Sequence, residues 1–501
     1  MSSISGADAA RQSSVSQEDP YHPDASTPSG SMSRRSLLGA GAAGLVGLAS
    51  VRALGQPIAP APQATTATPA TPTRAKNLIW LIADGMSVGS MSVMEDYLRV
   101  NSATAPSAWR DLLNRRGTRH GIMGTHSFDS PVTDSAAASS AFSTGMKHRN
   151  GSLCVGPDGE EFRPFFQMAR ANKRRVGAVT TTTITHATPA GFYATIPARR
   201  QERDVARQLV DARLDVALGG GAQFFSPELL ALAEREGIRV VRTATELQRV
   251  DRQSSTPVIG LFNESHLSYA MERRPGEPSL PAMAVWAMER LSQPRDGTDG
   301  FVLQIEAGRI DHSEHNNDAG ALVQECLEFD ATLAAVMRWA DARNDTLVVV
   351  CSDHATANPG TVVYGSKGHE ALRSLKKFTH SFEWVLEPVA RETDIAKRVA
   401  LLASRVKEAT GVELDTDALA RLRDAYGGSW VHPSSARRNI VTLLGDIMVE
   451  HTGVGFNSGD HTSETVPIIA SGPGAESLPG AIDNTDLHNW VKVQTGLTSN
   501  A

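Results

Sequence analysis

Asn77-Leu78-Ile79-Trp80-Leu81-Ile82-Ala83-Asp84-Gly85-Met86 is the segment that sets the fold. It is a strand-length apolar run that stops at Asp84-Gly85 and passes into helix-like sequence. A strand with no polar alternation is covered on both faces, as in a parallel sheet between layers of helices. The same pattern returns along the chain. Residues 179–185 are a β-branched run ending at His186, residues 301–305 end in Glu306, and residues 346–351 end in Asp353-His354. Between the last two, Leu322, Cys326, Phe329, Leu333 and Val336 recur at helical spacing. Strands alternating with helices predict an α/β fold: a large, mostly parallel central sheet flanked by helices on both faces. In such folds ligands bind beyond the carboxyl ends of the strands. Asp84, His186, Glu306, Asp353 and His354 are expected to gather there.

Residues 359–455 change character. One helix is expected to present Ile395, Val399, Leu402 and Val406 on a single face, and another to cover residues 440–450. No strand-end carboxylate is evident, so the segment reads as an inserted helical subdomain. The chain then returns with Gly459-Asp460-His461-Thr462 and a short strand over residues 466–470.

Upstream, residues 1–31 are polar and rich in Ser, Asp and Pro. Met32 opens Ser33-Arg34-Arg35-Ser36-Leu37-Leu38-Gly39, and a Gly/Ala/Val/Leu run continues to Ala53. This reads as a signal peptide with the paired arginines of a twin-arginine export signal, and leaves Met1 and Met32 as alternative starts. The apolar run is short and Gly/Ala-rich, which favours cleavage over stable membrane insertion. Residues 1–55 are thus expected to be leader, 56–74 a Pro/Ala/Thr linker, and 75–501 the folded domain, exported to the periplasm or outside the cell.

With 501 residues, 41% of them hydrophobic and 21% charged, the chain has enough apolar sequence for a large core. A net charge of -6 argues against a nucleic-acid partner. Cys154, Cys326 and Cys351 are odd in number and spaced neither as a disulfide set nor as a zinc ribbon. They read as small buried residues.

Val132-Thr133-Asp134-Ser135-Ala136-Ala137-Ala138-Ser139-Ser140-Ala141-Phe142-Ser143-Thr144-Gly145 reads as a loop running into a helix, with cap residues at its start and a glycine at its end. A serine there is by itself a cap. The N–H groups and partial positive charge of a helix start also suit a bound anion. Metal-capable side chains sit elsewhere at strand ends and turns: Asp84, Glu306, Asp311 with His315 at i, i+4, Asp353, His354 and His461. Imidazole with carboxylate suits zinc, and mostly oxygen donors suit magnesium.

Together these segments resemble the alkaline phosphatases, in the family's order from Asn77 to Gly472. The resemblance rests on the segment from Asn77 to Met86, Val132-Thr133-Asp134-Ser135-Ala136-Ala137, Gly145-Met146-Lys147 with Asn150-Gly151, and Thr185-His186-Ala187-Thr188-Pro189-Ala190. It continues through Asp215-Val216-Ala217-Leu218-Gly219-Gly220-Gly221-Ala222, Ile305-Glu306-Ala307-Gly308-Arg309-Ile310-Asp311-His312, Ser352-Asp353-His354 and Asp460-His461-Thr462. The resemblance implies an alkaline-phosphatase-like fold and hydrolysis of small phosphomonoesters. It implies Ser135 as the nucleophile that becomes phosphoserine. Asp311, His315 and His461 match the ligands of one zinc; Asp84, Asp353 and His354 match those of a second. Asp84, Glu306 and Thr188 match the magnesium ligands. Arg199 matches the arginine that grips the phosphate, and Asp134 the residue that orients it. His186 and His312 stand where some bacterial members carry Asp and Lys, and match the animal-type enzymes in a supporting role, with His186 in the magnesium surroundings. Ala83 and Ser87 replace family glycines. The long helical insertion has no counterpart with a role, and reads as a crown over the site or a homodimer contact. The other ten histidines, His369, His380, His432 and His451 among them, read as surface or core residues.

The chemistry follows from the residues as well. Serine near its free pKa is a poor nucleophile, and no His–Asp pair is evident beside Ser135. Two zinc ions about 4 Å apart can clamp attacking and leaving oxygens. A planar guanidinium suits two equatorial phosphoryl oxygens. Two in-line displacements result, first onto Ser135 and then onto water. The alternatives are a phosphodiesterase or sulfatase of the same superfamily, or a non-catalytic exported phosphate- or zinc-binding protein. The Cys/Ser-x-Pro-x-Arg pattern of the sulfatases is absent around Ser135, and the completeness of the donor set argues against a mere binding protein.

Overall fold

A computed structural model of the chain describes residues 74–101, 106–428 and 439–498. The leader, the Arg34-Arg35 export signal, both candidate starts, the linker up to Thr73, and His432 lie outside the described residues.

Ten strands form one sheet: β1 (Asn77–Ile82), β2 (Arg119–Gly124), β3 (Arg175–Thr183), β4 (Val216–Gly220), β5 (Arg239–Val241), β6 (Val258–Leu261), β7 (Phe301–Glu306), β8 (Thr346–Cys351), β9 (Val466–Ser471) and β10 (Ala481–Asp483). Their order is β10-β2-β9-β8-β1-β7-β3-β4-β6-β5. Only β9 runs antiparallel to its neighbours β2 and β8. The fold is the α/β architecture that the apolar strands require. β1 is buried along its whole length, and its two faces meet different helix layers. Leu78, Trp80 and Ile82 join one core with Phe142, Phe165 and Phe192, and Ile79 and Leu81 join another with Leu322 and Phe329. Trp80 anchors the first, with ring centroids 5.4 Å from Phe142, 5.8 Å from Phe165 and 5.4 Å from Phe192.

Register positions the site. Ile82 pairs with Glu306 on β7 and with Cys351 on β8, so Asp84, Glu306 and Asp353 emerge at one edge. β3 starts earlier and stops earlier than residues 179–185 suggest. Its first half contains Gly177, where a Cβ would lie 3.0 Å from Leu291 Cδ1 and 3.2 Å from Val216 Cβ. Close packing there requires a residue that carries no strand signal. Ile184 and Thr185 then leave the sheet in a turn closed by His186 N–H to the Thr183 carbonyl at 2.9 Å. The cysteines are all free and buried.

The helices that matter for the site are α1 (Val88–Val100), α2 (Ser135–Thr144), α3 (Arg309–His315) and α4 (Ala319–Asp341), followed by α5 (Gly365–Ser374), α6 (Phe382–Val389), α7 (Ile395–Thr410), α8 (Thr416–Tyr426), α9 (Ile440–Thr452) and α10 (Asn484–Thr495). α5 to α9 form a third core, with Phe382, Val385 and Leu402 packed near Val93 and Tyr97 of α1 and Val323 of α4. Val399, Leu402 and Val406 are buried, whereas Ile395 in the first turn of α7 stays 38% exposed. Among the described residues no helix is long and apolar enough to cross a membrane.

α10 braces α2. His488 donates from Nδ1 to the Phe142 carbonyl at 2.9 Å and stands edge-on to Phe165 at 5.6 Å. Burial penalises the charged ring and pushes its pKa down to about 4, outweighing the carbonyl bond. The unfolded chain therefore takes up this proton first as pH falls. Stability from His488 is complete above about pH 6.5 and is lost as pH falls from there through about 4, by roughly 3 kcal/mol for a shift of this size. Denaturant unfolding at pH 7 and pH 4.5 should show a smaller loss for His488→Gln than for the natural chain; equal losses would clear the ring of responsibility.

Candidate active site

α2 begins at Ser135 because Asp134 caps it. Asp134 has extended backbone, and its Oδ1 accepts from Ala137 N–H at 2.9 Å. Its Oδ2 accepts from Gly151 N–H at 3.0 Å and from Arg199 Nη1 at 3.2 Å. Asn150 clamps the approach, accepting from Asp134 N–H at 2.9 Å and donating to the Val132 carbonyl at 3.0 Å. The helix stops at Gly145, whose φ of +76° admits few side chains and where a Cβ would lie 2.9 Å from His488 Cδ2. Ser135 is buried, and its Oγ lies 3.1 Å from His354 Nε2.

Around Ser135 the strand ends deliver acceptors facing acceptors. His315 and His461 each donate outward from Nδ1, to the Gly459 carbonyl at 2.7 Å and the Thr133 carbonyl at 2.8 Å. In the neutral rings that leaves lone pairs on both Nε2 atoms, which lie 3.0 Å apart. Asp311 sits beside them, Oδ2 3.4 Å from His315 Nε2 and Oδ1 3.6 Å from His461 Nε2. His354 Nε2 lies 3.5 Å from Asp84 Oδ1 and 3.3 Å from Asp353 Oδ2, and no hydrogen-bond donor reaches either oxygen. Burial, then Asp353, Asp311 and Glu306, push the Asp84 carboxyl well above its ordinary range. Burial and then Asp311 push Asp353 the same way. Burial would also raise Asp311, but the His315, His461 and His354 rings outweigh it and hold that group low. Converging lone pairs and buried like charges need cations, so the donor chemistry fits divalent metals. Among the described residues, three groups of donors each have their ligand atoms within 4.8 Å of one another: Asp311, His315 and His461; Asp84, Asp311 and His354; and Asp84, His186 and Glu306.

The Ser135–His354 contact invites comparison with a serine–histidine pair. A general-base histidine has its second nitrogen held by a carboxylate. Here Nδ1 faces the Thr356 hydroxyl at 3.2 Å, and the carboxylates lie on the Nε2 side instead. That is the arrangement of a metal ligand.

The third group lies deeper. Thr188 Oγ1 donates to Asp84 Oδ2 at 3.0 Å, and Glu306 Oε2 accepts from Thr180 and Thr182. Glu306 Oε1 and His186 Nδ1 lie 3.9 Å apart, with no hydrogen-bond partner for either atom. The other nitrogen of His186 accepts from Arg199 Nη2 at 2.9 Å. Arg199 is thus held by Asp134 on one side and His186 on the other. His186 also stands edge-on to His312 and to His266, both at 5.7 Å, and these two rings are 4.6 Å apart.

Comparison with known proteins agrees with this geometry. Residues 75–497 match the family model described as alkaline phosphatase. The chain belongs to the alkaline phosphatase family. It is a phosphatase, and the family is metal-dependent. Alkaline phosphatase 4 of Bacillus subtilis is 29% identical over 429 residues, covering 83% of this chain and 88% of that protein. The crystal structure of Thermus thermophilus alkaline phosphatase superposes with a TM-score of 0.78 at 33% identity, over 85% of this chain and 93% of that one. The cold-active alkaline phosphatase of a Shewanella species shares the fold at 23% identity, with a TM-score of 0.69 over 84% of this chain and 100% of that one.

In this alkaline phosphatase family member the structure brings Asp84, Asp134, Ser135, His186, Thr188, Arg199, Glu306, Asp311, His312, His315, Asp353, His354 and His461 into one connected site. Asp311 belongs to two donor groups. His186 Nδ1 stands 3.9 Å from Glu306 Oε1, beside the oxygen donors of that group. His266, read with the other histidines as a surface or core residue, is half-buried and packs its ring against His186 and His312. The signal for it was weak, because the strand before it, β6, has only four residues. Asn150 sat in a matching segment but had no role until its clamp on Asp134 was visible.

Removing divalent metals with a chelator should lower the thermal midpoint, because each site filled at a hundredfold its Kd adds about 2.7 kcal/mol to the folded state. Calorimetry with metal analysis checks this; a midpoint that stays put while bound metal falls to nothing contradicts the assignment.

Proposed function

We propose that the chain hydrolyses phosphate monoesters through a phosphoserine on Ser135, at a site holding two zinc ions and one magnesium ion. The observation that carries this reading is the position of Ser135 Oγ. It lies 3.1 Å from His354 Nε2, on a helix start whose capping residue also holds Arg199. Asp311, His315 and His461 would hold one zinc, and Asp84, Asp353 and His354 the other. Asp84, Glu306 and Thr188, with His186 beside them, suit magnesium, since oxygens dominate that group. When bound, the metals supply Lewis acidity that lowers the pKa of an attached hydroxyl or water and offsets charge on attacking and leaving oxygens.

The chain's own residues do the rest. The start of α2 aims the Ser135 hydroxyl and adds a partial positive charge for the anion. Arg199, fixed at both terminal nitrogens by Asp134 and His186, presents its plane to two phosphoryl oxygens. Two anionic oxygens are what a monoester offers and a diester lacks. The Oγ–P bond forms as the P–O bond to the ester alcohol breaks, the serine proton passing to the departing oxygen; water then attacks phosphorus from the side the alcohol left, opposite Oγ, and returns a proton to Ser135 as phosphate is released. The Arg34-Arg35 leader supports export of the enzyme by a twin-arginine route.

An aryl phosphate should be hydrolysed at alkaline pH, with activity lost on chelation and restored by zinc with magnesium. Ser135→Ala should abolish covalent phosphoenzyme while leaving the metal content unchanged. Arg199→Ala should cost about 1.5–3 kcal/mol in kcat/KM, the range for a hydrogen bond to a charged group. A higher rate on a bis-aryl diester than on the monoester would overturn the monoesterase reading.

A further inference from the structure

Arg309, in the first turn of α3, is a buried cation that the phosphate chemistry above does not use. It is 3% exposed and lies over Tyr269, its Cζ 3.8 Å from the ring centroid. Its Nη2 pairs with Glu383 Oε2 at 2.6 Å, and its Nη1 lies 2.6 Å from His312 Nδ1. Glu383 belongs to α6 of the inserted segment. The start of α6 is tied to the main body three times: Ser381 N–H and Oγ donate to Glu272 at 3.0 and 2.8 Å, and Phe382 N–H donates to Asp318 Oδ2 at 2.6 Å.

Hydrogen-bond direction gives this chain of contacts a consequence. A guanidinium only donates, so His312 Nδ1 accepts. A ring nitrogen that accepts carries no proton, so the ring is neutral while this bond stands. Its single proton is therefore on Nε2. His312 stands edge-on to His186, which accepts from Arg199. The row Glu383–Arg309–His312 thus adjoins the row His186–Arg199–Asp134 beside Ser135.

We propose that Arg309 and Glu383 are positioning residues through which the inserted helical segment fixes the ring plane and the Nε2–H tautomer of His312, presenting that N–H to the phosphoryl group. This rests on the monoesterase reading of the site. Glu383 reaches Arg309 from a side chain that is 57% exposed, so it can be changed without opening the core.

The test uses the full metal-loaded protein, with an aryl phosphate as substrate and inorganic phosphate as the ligand in calorimetry. Glu383→Ala should raise KM and the phosphate Kd together by about fivefold, as expected for a mispositioned donor to an anion, with kcat within about twofold. Glu383→Gln, which keeps an acceptor for Nη2, should recover most of the loss. In a His312→Ala background, Glu383→Ala should add nothing further. A further loss in that background, a Gln variant as poor as the Ala variant, or an unchanged phosphate Kd would each overturn the proposal. If Glu383→Ala does not fold, ¹⁵N shifts of His312 in the natural chain decide: protonated Nε2 supports the proposal, and protonated Nδ1 overturns it. Those shifts are informative even if the natural enzyme shows no monoesterase activity, an outcome that would sink the function and not the tautomer.

Discussion

Crowding of like charge at the carboxyl edge of the sheet is the constraint on which the rest of the structure depends. Asp84, Glu306, Asp311 and Asp353 are all buried, and they arrive from two neighbouring strands, β1 and β7, from the end of β8, and from α3. Isolated buried carboxylates are costly by many kcal/mol, and the ordinary remedies are protonation, hydrogen bonding or a cation. Hydrogen bonding satisfies only part of this set, since Asp84 Oδ1, Glu306 Oε1 and Asp353 Oδ2 have no donor. Protonation does not explain why two imidazole nitrogens, their outer partners already satisfied, point at each other across 3.0 Å. Cations resolve both features at once.

Such an edge can exist only on a scaffold that does not yield. β1 runs between two parallel neighbours with both faces packed, so the carboxylate beyond its end has little room to retreat. The turn after it passes very close to α3. Gly85 has a φ of +77°, and a Cβ there would lie 2.8 Å from the Asp311 Cα. That approach is what allows Asp84 and Asp311 to share a donor group with His354. Ser87 is compatible with this turn because it caps α1 reciprocally with Ser90, accepting from Ser90 N–H at 3.1 Å. The energy that holds the carboxylates together comes from apolar packing several residues away, with Trp80 joining β1 to Phe142 of α2.

The parts of the site legible in the sequence share one property: each is announced by local chain grammar. Asp84, Glu306 and Asp353 end apolar runs, Asp311 and His315 recur at helical spacing, and Asp134-Ser135 opens a helix. Features fixed by tertiary approach were not legible. β3 hides its first half behind Gly177, which is there for Leu291 and Val216 and not for strand propensity. His266 follows a strand too short to register, and its ring contacts with His186 and His312 arise only when β6 comes to lie two places from β3. The Ser135–His354 contact joins residues 219 apart, and its character depends on which nitrogen faces which oxygen. The Arg309–Glu383 contact likewise joins residues 74 apart, which no local pattern announces.

Hydrogen-bond direction divides the site into two halves. On one half every inward atom accepts: the Nε2 atoms of His315, His461 and His354, and the carboxylates among them, with the histidines turned that way by bonds on their outer nitrogens. On the other half the fixed groups donate: Arg199 to Asp134 and His186, and Arg309 to His312. A phosphoryl group in transfer needs both. Its entering and departing oxygens gather charge that only cations held by acceptors can offset, and its equatorial oxygens need rigid donors. Ser135 lies at the join, its hydroxyl beside His354 and its cap residue beside Arg199. Asp134 is the single side chain that fixes the helix start and the donor half together, because one oxygen caps α2 while the other holds the guanidinium. Asp134 therefore couples the direction of α2 to one of the two supports of the Arg199 guanidinium, the other being His186.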